Sequence, residues 1–222
     1  MQLISGLEWL DSTVQMPLMA LPMRTVIVPL AQGRVMLSPG SALTAEELQR
    51  AGPVTDVVAP TLFHLSAVKA AAAVHPKARL WGPRGCKEKE PRVAWTHVLE
   101  VDPWPYEDAL SLLPIGGIPR ACESALFHRA SRTLLVSDLV FNVTEARGAG
   151  AWLILSMFGT WRKLGVSRLY SKLIKDRAAF DASIARVMKL DFDNLVPSHG
   201  EAVLGNARAK LLEAFEARRL RA

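Results

Sequence analysis

A chain of 222 residues, half of them apolar, is long enough to bury roughly 70 % of its unfolded surface without disulfides or a structural metal. Two cysteines, Cys86 and Cys122, exclude a disulfide framework and a cysteine-rich zinc module, and they fit a reducing compartment. The net charge of +6 is uneven: Arg162, Lys163, Arg168, Lys172, Lys175 and Arg177 face only Asp176, but no nucleic-acid motif or aromatic stacking platform accompanies them, so nucleic-acid binding is not expected and a solvated helix face is.

Met1 to Met23 carries Glu8 and Asp11 and no basic residue before Arg24, unlike a secretory signal. No apolar run approaches the ~20 residues that a membrane-spanning helix needs, so a cytoplasmic protein without a transmembrane segment is expected. Thr25–Leu30 and Arg34–Ser38, joined through Gly33, predict an opening antiparallel hairpin. Thr44 followed by Glu47 is a capping box for a helix to Arg50, stopped by Gly52-Pro53. Val57–Leu62 reads as a buried strand, Ser66–Val74 as an alanine-rich helix, and Ala78–Trp81 and Val98–Val101 as further strands around the turn-rich Gly82–Cys86. Ser124–His128 and Thr133–Val136 predict a second hairpin. Residues 151–190 turn helical, Asn194–Pro197 is apolar and strand-like, and 207–220 predicts a last helix with Leu211, Leu212 and Phe215 on one face. Hairpins mixed with strand-helix units, and no internal repeat, give an α+β fold: one domain over 1–222, built as a four-layer αββα sandwich.

Two apolar strands end in polar tips, Leu134–Phe141 with Ser137-Asp138, and Asn194–Gly200 with Ser198-His199-Gly200. Together with Leu37-Ser38-Pro39-Gly40, Leu43-Thr44, Gly52-Pro53-Val54, Val57–Pro60, His64, Glu123, Phe127-His128 and Ser131–Leu135, in that order over 24–204, the chain resembles a divergent branch of the metallo-β-lactamase superfamily, a domain family of unassigned function with a degenerate metal motif. The resemblance implies zinc held by histidines and shared acids, with one position left for an attacking water. The place of the dense His-x-His-x-Asp-His part of that signature reads here Val57-Val58-Ala59-Pro60-Thr61-Leu62-Phe63-His64-Leu65, with His64 in the slot of the motif's aspartate or of its last histidine, and the zone expected to hold a third histidine reads Gly116–Arg120.

What stands is His64, Asp138 and His199 as candidate metal ligands, with Glu123 or Cys122 as replacements. Two histidines and a carboxylate suffice for one zinc and equally for iron with open positions; manganese is a third option. Each residue has an ordinary structural alternative: His64 bonding a nearby carbonyl, Asp138 capping backbone amides, His199 stabilising a turn, Glu123 anchoring a loop. Cys122 is expected to be an inert thiol, His75 to complement a helix dipole, and His97 and His128 to lie at the surface. Ala151–Trp161 is read as core packing, with a lid over the site or a membrane-facing segment as alternatives, and an assembly interface over 151–177 is a third.

The preferred expectation is a non-classical domain that binds a small anionic molecule or a protein partner and carries no metal. The alternative is a mononuclear metal-dependent hydrolase of an ester, thioester or phosphoester, with Glu123 and Asp138 as catalytic carboxylates. No Walker loop, dinucleotide fingerprint or Gly-x-Ser-x-Gly elbow is present.

Overall fold

The computed structural model describes residues 4–220. The chain begins with a long antiparallel ribbon, β1 (Glu8–Met16) and β2 (Met19–Leu30), and β3 (Gly33–Leu37) adds to β2 through a tight turn. Three strand-helix units follow: α1 (Ala45–Gln49), β4 (Asp56–Val58), α2 (Val68–Val74), β5 (Arg79–Gly82), α3 (Cys86–Lys89) and β6 (His97–Val98). They complete a six-stranded sheet in the order β1-β2-β3-β4-β5-β6, parallel from β3 onward. A second sheet, ordered β10-β9-β8-β7, is made by β7 (Leu110–Pro114), β8 (Ser124–His128), β9 (Thr133–Val136) and β10 (Asn194–Pro197). Between β9 and β10 run α4 (Ala151–Phe158), α5 (Arg168–Leu173) and α6 (Arg177–Met188), and α7 (Ala207–Glu216) closes the chain.

The period-two alternation of the strands decides the layering. Val26 and Val28 of β2, Val35 and Leu37 of β3 and Val58 of β4 pack against Leu110, Leu126, Leu135 and Val196 of the second sheet. The opposite faces, Ile27, Met36, Val57 and Leu80 in one sheet and Leu134, Val136 and Leu195 in the other, lie against helices. Helix, sheet, sheet, helix is therefore the order of layers, as the sequence predicts. Local signals set the helix starts: Thr44 and Glu47 form the capping box of α1, the Ser167 hydroxyl accepts from the Tyr170 amide at α5, and the Asp176 carboxylate accepts from the Ala179 amide at α6.

Several expectations need correction. The 25–30 hairpin strand begins at Met19 and is preceded by β1, and β7 has no counterpart in the sequence reading. The strand expected over Val57–Leu62 ends at Val58, because Pro60 and the turn that follows leave the sheet. The helical stretch 151–190 is three helices, the first stopped by Gly159 at a left-handed φ of 74°. His128 is buried in β8 with Nδ1 2.7 Å from Ser131 Oγ, and half-buried His97 stacks on Trp81 at 4.3 Å, so neither is a plain surface residue. His75 stands at the C-terminal end of α2, where its Nε2 donates to Leu48 O at 3.2 Å and ties α2 to α1.

Candidate metal centre

Strand ends from both sheets meet at one place. Ser38 follows β3, His64 sits in the turn between β4 and α2, Asp138 follows β9, and His199 follows β10. The His64 turn is stitched to the second sheet: Leu62 N–H donates to Ala121 O at 2.8 Å, and Ser124 N–H donates to Pro60 O at 2.8 Å. Ser198 N–H donates to Val136 O at 2.9 Å, and Asn142 N–H donates to His199 O at 3.0 Å, which locks the His199 turn beside the Asp138 loop. Gly200 completes that turn with φ of 102°, and a Cβ there would lie 2.1 Å from Asn142 O, so only glycine fits.

His64, Asp138 and His199 are all buried and each offers a ligand atom, these atoms lying within 4.8 Å of one another. His64 Nε2 is 3.3 Å from His199 Nε2, 3.6 Å from Asp138 Oδ2, and Asp138 Oδ1 is 3.4 Å from His199 Nε2. The outer nitrogens are engaged elsewhere. His199 Nδ1–H donates to Pro22 O at 2.8 Å, which turns Nε2 inward. His64 Nδ1 pairs with Ser38 Oγ at 3.0 Å, and Ser38 Oγ in turn lies 3.4 Å from Ser137 Oγ. The His199 ring is further held by Phe141, stacked 5.1 Å away at 6°.

Burial drives the His64 pKa down to about 4, the Asp138 charge opposing and His199 reinforcing the shift, so the ring is neutral at pH 7. For Asp138, burial pushes the carboxyl up, and the two histidines more than offset it, leaving an anion. The neutral His64 ring, the inward-facing His199 Nε2 and the Asp138 carboxylate thus bring four potential ligand atoms together in one buried site. Asp138 Oδ2 is fully buried and has no hydrogen-bond partner among the described residues. An orphaned buried anionic oxygen costs about 1–3 kcal/mol or more, and a cation among these atoms would satisfy it. The donor set therefore fits a metal ion.

Glu123 and Cys122 stand outside this group. Glu123 Oε1 accepts from the amides of Ser137, Asp138 and Leu139 at 2.9, 3.1 and 3.1 Å, and Oε2 accepts from the Tyr170 hydroxyl at 3.0 Å. Burial, then the Asp138 charge, push its pKa up to about 8 against the pull of those donors. The Cys122 thiol is pushed up by burial and then by Glu100, and it donates to Pro119 O, the opposite of an activated thiolate. Pro60, Leu62 and Phe63 offer no ligand, and Gly116-Gly117 serves packing: a Cβ on Gly117 would lie 2.0 Å from Asp176 O. The sequence reading missed Ser38, Pro22 and Tyr170. Ser38 lay inside a quoted motif, but its left-handed φ of 51° and its pairing with His64 are tertiary facts.

A cavity of ≈ 420 Å³ opens beside the cluster, with Asp138 in its wall and Phe63, Lys89, Arg120, Phe141, Ser167, Leu169, Tyr170 and Leu173 around it. Its helical wall is α5, with Lys89 contributed from the end of α3. No α4 residue lines it: Ala151 and Leu155 of α4 pack inward with Met19, Leu21 and Val143, while Trp152, Leu153 and Met157 face outward. Two larger hollows, of ≈ 600 and ≈ 500 Å³, include none of the three candidate ligands. No helix among the described residues is long and apolar enough to cross a membrane.

No family model and no curated protein matches the chain. Solved structures do, at low identity. A metallo-beta-lactamase from Pontibacter korlensis aligns with a TM-score of 0.66 at 15 % identity, over 97 % of this chain and 97 % of that one. A putative diflavin flavoprotein fragment from a Nostoc strain aligns with a TM-score of 0.69 at 11 % identity, over 99 % and 97 %. A metal-soaked Flv1 flavodiiron core from Synechocystis aligns with a TM-score of 0.67 at 10 % identity, over 96 % of this chain and 59 % of that one. The chain has the metallo-β-lactamase fold.

Proposed function

We propose that His64, Asp138 and His199 hold one divalent metal ion and that the protein is a mononuclear metal-dependent hydrolase. The observation that carries this reading is the convergence of His64 Nε2, His199 Nε2 and the partnerless Asp138 Oδ2 in a buried site. A binding domain without metal, the reading preferred from sequence, gives no reason to bury that oxygen unpaired. When bound, zinc or a similar ion supplies Lewis-acid chemistry, lowering the pKa of water toward neutrality and polarising a carbonyl or phosphoryl oxygen. Two histidines and a carboxylate leave coordination room for both. Iron suits the same set, and a flavodiiron core is among the structural neighbours.

The chain's own residues have separable tasks. Ser38 and the Pro22 carbonyl orient the two rings, and Glu123 is a positioning residue that pins the backbone of Asp138 through three amides. The loop from Pro60 to Phe63 supplies none of the further histidines that a dinuclear site would need, so one ion is expected rather than two. Both cysteines are free, and we place the protein in the cytoplasm.

Elemental analysis of protein purified without a histidine tag tests the reading, beside the His64→Ala/His199→Ala variant. Near-stoichiometric zinc, iron or manganese in the wild type, absent from the variant, is expected, with ester hydrolysis lost on chelation. A wild type that stays metal-free after incubation with each ion would overturn it and return the chain to the binding-domain class.

A further inference from the structure

The cavity beside Asp138 combines two kinds of wall. Phe63, Phe141, Leu169 and Leu173 are apolar, while Lys89 and Arg120 bring two positive charges, and Asp138 is its only acid. Among the described residues neither Lys89 nor Arg120 forms a salt bridge, whereas Arg24, Arg34, Arg79, Arg132 and Arg177 all do. Lys89 Nζ instead sits 4.8 Å over the Phe63 ring, which places charge and apolar surface side by side. Phe63 is 45 % exposed and Leu169 55 % exposed, large apolar groups at the cavity that a ligand would cover. Phe141 continues the apolar wall inward to the His199 ring on which it stacks.

We propose that this cavity is the substrate pocket and that it takes an amphipathic organic anion: an ester or thioester with a medium-length alkyl, acyl or aryl body along Phe63, Phe141 and Leu169 and a negatively charged group met by Lys89 and Arg120. The reaction assigned to it rests on the metal-centre reading; the binding does not. A cavity of ≈ 420 Å³ is the size of a small-molecule site and too small to enclose a polymer. Two exposed cations without a salt-bridge partner among the described residues attract an anion to the cavity mouth, and the aromatic and leucine surfaces reward its hydrocarbon part. Hydrolysis adds water across the acyl–oxygen or acyl–sulfur bond and releases a carboxylic acid together with an alcohol or thiol. A simple fatty acid anion therefore resembles one product as well as the substrate.

The test is calorimetric titration of chelator-treated, metal-free protein with octanoate, acetate and 1-octanol. Octanoate is expected to bind, with acetate and 1-octanol each at least roughly tenfold weaker because each lacks one of the two features. In Lys89→Gln/Arg120→Gln, octanoate affinity is expected to fall about tenfold while that of 1-octanol stays the same. Leu169→Gln, at an exposed position that leaves folding intact, is expected to weaken both. Equal affinity for acetate and octanoate, or wild-type octanoate affinity in the charge variant, would overturn the proposal. The metal content of the wild type separates the two readings: octanoate binding by a wild type that takes up no metal keeps the pocket and rejects the metal centre, and stoichiometric metal that is lost in His199→Ala, without octanoate binding to the wild type, does the reverse.

Discussion

At Ser38 the backbone passes through a φ of 51°, a conformation a non-glycine residue adopts only when its surroundings enforce it, and this aims the hydroxyl at His64 Nδ1, 3.0 Å away. The hydroxyl fixes the orientation of the ring whose other nitrogen faces Asp138. Ser38→Ala is expected to lower metal affinity by about 10–100-fold, read by chelator competition, while the fold survives. Asp138→Asn makes a sharper statement. An amide donor placed beside His64 Nε2 and His199 Nε2 satisfies lone pairs that the carboxylate cannot. The metal-free variant is therefore expected to be more stable than metal-free wild type by about 1 kcal/mol in urea unfolding, while losing metal altogether. A less stable variant would show that protons rather than an ion satisfy the cluster. His64, Asp138 and His199 were legible in the sequence because each stands just beyond an apolar strand. Ser38, Tyr170 and the Pro22 carbonyl were not, since a hydroxyl or a carbonyl shows its role only through a partner 26 or more residues away.

Elements legible in the sequence are those with two faces to declare or a cap to mark them. The hairpin of β8 and β9 and the helix behind Thr44 are of this kind, their apolar positions buried as the pattern implies. The strands missed, β1 and β7, are both sheet edges. β1 is half-exposed along its length, so burial imposes no clean alternation on it, and β7 ends in Pro114 after a proline-broken loop. Asp56 was missed for a related reason: a carboxylate opening an apolar run looks like part of a turn. It is instead fully buried at the start of β4, accepting from Trp81 Nε1 at 2.7 Å, Tyr106 Oη at 2.5 Å and Arg79 Nη2 at 3.0 Å, and so joins β4 to β5 and to the loop before β7. Burial pushes its carboxyl up, but these donors outweigh it and hold the pKa below the ordinary value. A carboxylate depressed in the folded state contributes stability that is complete above about pH 4, the unfolded value, and is lost as pH falls through the folded pKa. Asp56→Asn is expected to cost about 2 kcal/mol at pH 7, because it weakens the charge-assisted hydrogen bonds that Trp81, Tyr106 and Arg79 donate to a fully buried acceptor, and to flatten the acid limb of the stability curve below pH 4. Urea unfolding at pH 7 and at pH 3 checks both; an unchanged acid limb would remove Asp56 as its source.

Across the whole molecule the candidate centre is also a junction. His64 leaves the six-stranded sheet, Asp138 and His199 leave the four-stranded one, and His64 and His199 are 135 residues apart in the chain. Backbone hydrogen bonds already stitch the junction, but without an ion the three candidate ligands meet one another only through one imidazole contact and two long histidine–carboxylate approaches, and Asp138 Oδ2 has no partner among the described residues. An ion bound here would link the two sheets of the sandwich and bind only the folded chain, because the unfolded chain does not bring these residues together. Mass action then stabilises the entire fold, by about 2.7 kcal/mol at a free metal concentration one hundred times Kd. For a chain of this size that corresponds to a Tm rise of roughly 5–10 °C, growing with the logarithm of metal concentration. His199→Ala is expected to abolish the rise while Lys89→Gln, in the cavity wall, leaves it intact. A rise that persists in His199→Ala would move the stabilising ion to some other part of the surface. A wild type insensitive to metal would mean that the two sheets are held at this junction by backbone hydrogen bonds and packing, with the interdigitated Val26, Val28, Leu135 and Val196 between them supplying what the ion does not.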